Sequence, residues 1–126
     1  IPFFHWGIEY QYDPTEEQRY FAQVGIDTGA AMVMGSHPHW VQAVETYKGK
    51  SIVYSLGNFV FDQEWSLETK QGMIADVWMR GETLLALDLV PVLIEDYHKP
   101  RRMSDDEAWP VLNQVWAASD RIRFGG

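Results

Sequence analysis

Ala30-Ala31-Met32-Val33-Met34-Gly35-Ser36-His37-Pro38-His39 decides how the rest of the chain is read. The apolar run through Met34 has the length and bulk of a buried strand. Gly35 then breaks the strand, and Pro38 stiffens the loop between two imidazoles. A neutral imidazole offers a lone pair at ordinary pH, which makes histidine the commonest metal-binding side chain. Two such groups one residue apart, at the end of a buried strand, form either half a metal site or an ordinary surface loop. Spacing alone leaves both open, because His-x-His is a short motif.

The residues upstream supply a frame for the loop. Ile1 to His5 is a short apolar run that also ends in histidine and predicts a strand. Asp13-Pro14-Thr15-Glu16 predicts a helix start, with Asp13 as cap, Pro14 at the first helical position and Glu16 reaching back. The helix is expected to run to Asp27 or Thr28, to bury Tyr20, Phe21, Val24 and Ile26, and to end at Gly29. Strand, helix and strand in this order predict a βαβ unit with parallel strands. In open α/β sheets ligands gather beyond the carboxyl ends of the strands. His5, His37 and His39 would then share one rim.

Downstream the pattern becomes all-β. Val41 to Tyr47 and Ser51 to Leu56 predict a hairpin about Lys48-Gly49-Lys50. Gly57-Asn58 marks a sharp departure, and Asp62 to Gln71 reads as a polar loop. Gly72 to Arg80 and Thr83 to Glu95 predict two further strands, and Tyr97 to Met103 an irregular stretch. Ser104-Asp105-Asp106-Glu107 opens a helix to about Ser119 with Leu112, Val115 and Trp116 on one face. Residues 121–126 are expected to be a loose tail. The fold class is therefore α/β, a βαβ unit followed by antiparallel strands in one mixed sheet and a C-terminal helix.

The totals narrow the function classes. The 126 residues suffice for one core. The formal net charge of −8 argues against nucleic acid or an anionic membrane surface as a general partner. An anionic substrate remains compatible, since a bound cation reverses the local field. The chain has no cysteine, so thiolate metal sites and disulfides are excluded. No apolar run approaches the ~20 residues that span a bilayer. The chain starts inside a predicted strand without an initiator methionine, which suggests that further sequence precedes it.

Nitrogen and oxygen ligands without sulfur suit zinc, manganese, iron or magnesium rather than calcium. His5, His37 and His39 are the candidate metal ligands. Three imidazoles could hold a catalytic zinc or form part of a two-metal site. Read in isolation, His5 is a strand-end histidine bonded to a backbone carbonyl, Glu9, four residues after it, a solvated loop carboxylate, and Asn58 a turn residue. His98 has no partner in sequence and reads as a surface residue. No phosphate-binding glycine loop and no serine nucleophile elbow is present.

The ordered motifs His5-Trp6-Gly7-x-Glu9-Tyr10, Ile26-Asp27-x-Gly29-Ala30, Gly35-x-His37-Pro38-His39, Gln42, Glu45 and Tyr54-Ser55-Leu56-Gly57-Asn58-Phe59-x-Phe61-Asp62 resemble the poly-γ-glutamate capsule biosynthesis (CapA) family. That family is similar in fold to the calcineurin-like metallophosphoesterases, a layered αββα sandwich, and residues 1–120 resemble its carboxyl-terminal portion. The resemblance implies two divalent metal ions that activate water and neutralise charge on a phosphoryl group. His5 and His37 would bind one ion and His39 its neighbour, and Glu9 and Asn58 are then the candidate catalytic residues, orienting the imidazoles or lining the edge of the site. The bridging aspartates and the Asn-His pair of such sites have no counterpart here, so weak metal binding is expected of these residues alone. Ala31 and Ser36 stand where the family usually has Asp and often has His. The implied function is a metal-dependent hydrolase acting on an envelope-associated phosphoester or the capsule polymer, at the extracytoplasmic face of the membrane. The alternative is a non-catalytic factor that binds the polymer or membrane-bound synthase subunits.

Overall fold

The computed structural model describes residues 1–125. A four-stranded sheet carries the strand order β1-β2-β4-β3, formed by β1 (Phe3–His5), β2 (Val33–Ser36), β3 (Val44–Tyr47) and β4 (Lys50–Val53). β1 pairs with β2 and β2 with β4 in parallel, while β3 and β4 are antiparallel. The helix α1 (Glu16–Asp27) connects β1 to β2, so the βαβ unit with parallel strands is present. The β3–β4 hairpin turns on two residues, Lys48 and Gly49, both at positive φ (50° and 75°). Such a turn matches the twist of its flanking strands.

The antiparallel continuation does not extend this sheet. It forms a second sheet of order β5-β6-β7, from β5 (Gln71–Arg80), β6 (Thr83–Glu95) and β7 (Lys99–Arg102). β7 lies in the stretch expected to be irregular. Pro100 has no N–H to donate, and it is tolerated there because β7 is an edge strand. The helix α2 (Asp105–Phe124) then packs against both sheets. It continues past Ser119 through most of the expected loose tail, and Gly126 lies outside the described residues.

Each helix corrects its expected face. The cap of α1 is Thr15, not Asp13, with Gln18 reaching back instead of Glu16. Gln18 is chosen because its amide also meets the buried Gln42, donating to Gln42 Oε1 at 2.9 Å. The inward line is therefore Gln18, Ala22 and Ile26, while Tyr20, Phe21 and Val24 face out. Small inward residues let the helix lie close on β2: a methyl group on Gly25 would stand 3.2 Å from Val33 Cγ2. On α2 the buried residues are Val111, Val115 and Ala118, and Trp116 is exposed.

One core joins Ala22, Ile26, Val33, Ala43, Ile52, Tyr54 and Ala118 between the first sheet and the helices. A second joins Val41, Met73, Val111 and Val115, tying the second sheet to α2. The sheets meet where Gly57 bridges Gly72 and Met73 N donates to Leu56 O at 2.8 Å. Gly35 belongs to β2, opposite Phe4, and does not break it. Its role is space: Trp6 lies over it, and a methyl group there would come within 2.3 Å of Trp6 Nε1. No described helix is long and apolar enough to cross a membrane.

The β7–α2 junction is pinned by Arg101, which donates to Glu107 Oε1 and Oε2 at 2.8 and 2.9 Å. Arg101, then the Ser104 backbone N–H and hydroxyl, hold the Glu107 carboxyl down at about 2. A depressed carboxyl stabilises the fold above its unfolded value and loses that contribution as pH falls through its folded value. Between pH 4.5 and 2 the thermal midpoint is expected to fall, and Glu107→Gln is expected to flatten that part of the acid limb. Equal slopes for the two proteins in this window would exclude the assignment.

Candidate metal centre

His5 ends β1 and pairs in register with Ser36, the last residue of β2. His37 therefore emerges beside His5, with ring centroids 4.6 Å apart, and His37 and His39 lie 5.9 Å apart. The three histidines share one rim, as the βαβ reading requires. The loop that carries them is wound unusually. Tyr10, His37 and His39 all adopt positive φ, at 62°, 104° and 61°. Side chains with a Cβ resist this region at a cost of ~1–3 kcal/mol each, and such residues persist only where neighbours hold them. Here the neighbours are backbone groups: Trp6 N donates to Ser36 O at 3.1 Å, and Tyr10 N to Pro38 O at 2.8 Å. The loop after β1 is thus laced to the loop after β2, with Pro38 fully buried between them.

Glu9, His37 and His39 come together. Each offers one ligand atom, and these atoms all lie within 4.8 Å of one another. His39 Nε2 stands 3.7 Å from Glu9 Oε1, beyond hydrogen-bonding length. His5 lies against His37 but outside this trio.

Asn58 decides which nitrogen of His39 is free. Its amide Nδ2 donates to the Thr69 carbonyl at 2.9 Å, and a carbonyl can only accept, so Oδ1 must face the other way. Oδ1 lies 3.0 Å from His39 Nδ1, which therefore carries the proton and donates it. In the neutral ring Nε2, on the Glu9 side, then keeps the lone pair. A carboxylate and lone-pair nitrogens converging in this way are a donor set that fits a divalent cation. Asn58→Ala would leave Thr69 O and His39 Nδ1 without this partner. We expect Mn²⁺ affinity to fall ~10–100-fold, the usual effect of losing an orienting partner. Unchanged affinity in calorimetry would show that the tautomer is set otherwise.

The faces of the His39 ring are covered as well. Tyr10 stacks at 5.8 Å and Phe61 lies at 5.1 Å between centroids. Thr69 and Gly72 are participants that the sequence reading did not single out, and Tyr10 and Phe61 entered it only as positions of the family motifs. Gly72 gives way to Asn58, since a methyl group on it would fall 1.8 Å from Asn58 O. A glycine opening a strand, paired with Gly57-Asn58 upstream, is the one sequence signal that pointed to this contact.

Gln42 and Glu45 serve the scaffold. Gln42 Nε2 donates to the carbonyls of Gln11 and Asp13 at 3.1 and 3.2 Å, closing the loop before α1. Glu45 Oε2 accepts from Tyr54 Oη at 2.5 Å and lies 3.7 Å from Arg19 Nε. Burial first, and then this bond to a carboxylate, push the Tyr54 hydroxyl far above its ordinary range, so it stays protonated. His98 sits exposed in the β6–β7 turn.

The sequence profile described as bacterial capsule synthesis protein PGA_cap matches residues 1–63, a span that holds Glu9, all three clustered histidines and Asn58. The chain is 41% identical over 92 residues to a capsule biosynthesis protein CapA of Bacillus anthracis, covering 73% of this chain and 22% of that protein. It is 38% identical over 92 residues to the PGA biosynthesis protein CapA of Bacillus subtilis, covering 73% of this chain and 24% of that protein. A probable polyglutamine synthesis accessory protein of Mycobacterium tuberculosis is 27% identical over 125 residues, 94% of this chain and 33% of that protein. The chain thus spans between a fifth and a third of the length of these three relatives. With half of its length on the family profile, including the whole histidine rim, this chain belongs to the bacterial capsule synthesis protein family, PGA_cap.

Proposed function

We propose that this chain carries the imidazole and carboxylate side of a metal-dependent hydrolase site of phosphoesterase type. The observation that carries the reading is the convergence of Glu9, His37 and His39 within 4.8 Å. These three residues would hold one divalent ion, of manganese, zinc, iron or magnesium. Such an ion supplies Lewis acidity toward a phosphoryl oxygen and lowers the pKa of water. The chain's own residues do the rest. Asn58 keeps the His39 proton on Nδ1, and Tyr10 and Phe61 shield the His39 ring from solvent. A second ion, implied by the resemblance, would need ligands beyond this trio, and His5 against His37 is the candidate to join it. In this reading the two sheets belong to a layered αββα sandwich. The substrate is an envelope-associated phosphoester or the capsule polymer, met on the extracytoplasmic face of the membrane.

The description of the mycobacterial relative as an accessory protein favours a second reading, a non-catalytic factor that binds capsule polymer or membrane-bound synthase subunits. One pair of measurements separates the two. Mn²⁺ titrated into the isotope-labelled chain is expected to broaden the signals of Glu9, His37 and His39 first. The loaded protein is then expected to hydrolyse bis(p-nitrophenyl) phosphate. Broadening without hydrolysis supports the accessory reading, and broadening elsewhere removes the metal site from this cluster.

A further inference from the structure

The segment 59–67 inverts the usual order of a surface loop. Gln63, Glu64 and Ser66 are tied down: Asn58 Nδ2 donates to Gln63 Oε1 and Gln63 Nε2 to Tyr10 Oη, both at 3.4 Å. Glu64 Oε1 accepts from Tyr97 N at 2.6 Å, and Ser66 Oγ from Thr69 N at 3.2 Å. Its apolar side chains face solvent, with Trp65 61% and Phe61 41% exposed. A loop tied down by its polar groups while it presents aromatics costs free energy unless something covers them.

The place of those rings points to what does. Phe61 lies against one side of His39 and Tyr10 against the ring as well, at 5.1 and 5.8 Å. Trp65 meets Tyr10 edge-on at 4.8 Å, one ring further from the cluster. Ligand sites pair a few convergent polar groups with an adjoining aromatic wall. We propose that Tyr10, Phe61 and Trp65 form a ring subsite beside Glu9, His37 and His39, and that the phosphoester bound there carries on its ester oxygen a ring with an apolar face. The phospho group meets the cluster, and the ring packs against Trp65 and Tyr10. This rests on the metal-site reading above and adds the substrate's second half. Aryl and glycosyl esters share this chemistry.

The test is calorimetric, on the Mn²⁺-saturated chain, with methyl phosphate, phenyl phosphate and glucose 1-phosphate as probes. At least one ring-bearing ester is expected to bind about tenfold more tightly than methyl phosphate, the scale of one good ring contact. Which of the two does so separates aryl from glycosyl recognition. Trp65→Ala is expected to bring the ring-bearing ester within about twofold of methyl phosphate. Trp65→Phe, which keeps a ring, retains most of the preference, and Trp109→Ala on α2 retains all of it. Matching thermal midpoints control for folding. Equal affinities for the three probes, or a preference that survives Trp65→Ala, overturn the subsite while the metal site stands. A wild-type chain that takes up no Mn²⁺ fails earlier, in the metal titration, and removes both.

Discussion

Gly35→Ala is expected to cost about 3 kcal/mol and to lower the thermal midpoint by roughly 10 °C, near the upper end of what one added methylene does in a packed interior. The new methyl group would stand 2.3 Å from Trp6 Nε1 and 2.5 Å from the Tyr54 carbonyl oxygen. Neither neighbour can yield cheaply. Trp6 Nε1 donates to that same carbonyl at 2.8 Å, and its indole stacks on Phe4 at 4.6 Å and 5°. Tyr54 O is backbone, and Tyr54 itself is fully buried. Displacing Trp6 would also loosen its N–H bond to Ser36 O, just before His37. The substitution is therefore expected to weaken Mn²⁺ binding together with stability. A variant as stable as wild type in urea and heat would show that the indole over Gly35 is not locked.

If Glu9, His37 and His39 hold the ion as proposed, His37→Ala is expected to weaken Mn²⁺ binding more than the ~10–100-fold that loss of an orienting partner costs, because it removes one of three ligands. Hydrolysis of a generic phosphodiester should disappear with it. His5→Ala discriminates between two assignments. In the trio of Glu9, His37 and His39, His5 only packs against a ligand, and its removal should cost less than about tenfold. In the arrangement that the family resemblance implies, His5 and His37 share an ion, and the two variants should fall together. Calorimetry on both variants reads the difference directly. Equal, small losses for His37→Ala and His5→Ala would sink both assignments.

The βαβ unit, the hairpin at Lys48-Gly49 and the capping box at Ser104 follow local rules, and each was legible because a few neighbouring residues suffice to set it. The rim of His5, His37 and His39 was legible for a related reason: parallel strands must end on the same side. The first α1 turn was misread because Gln18 is held by Gln42, 24 residues away. Tyr20, Phe21 and Val24 were misplaced because their bulk suggested burial, whereas close packing of α1 on β2 selects Ala22 and Gly25. β7 was missed because Pro100 argues against a strand until the strand is known to lie at an edge.

The sequence by itself determined the α/β class, the order of the early elements and the residue types able to hold a cation. It did so because strand alternation, helix caps and turn glycines act over a few residues, and because ligand chemistry belongs to the side chain. Only the tertiary structure decided that Glu9 rather than His5 completes a trio with His37 and His39. Only it decided that Asn58, held by Thr69 across the sheet junction, leaves His39 Nε2 free. Both depend on backbone at positive φ and on glycine contacts between distant strands. Distances of that kind arise from the packed chain as a whole and are written in no single stretch of it.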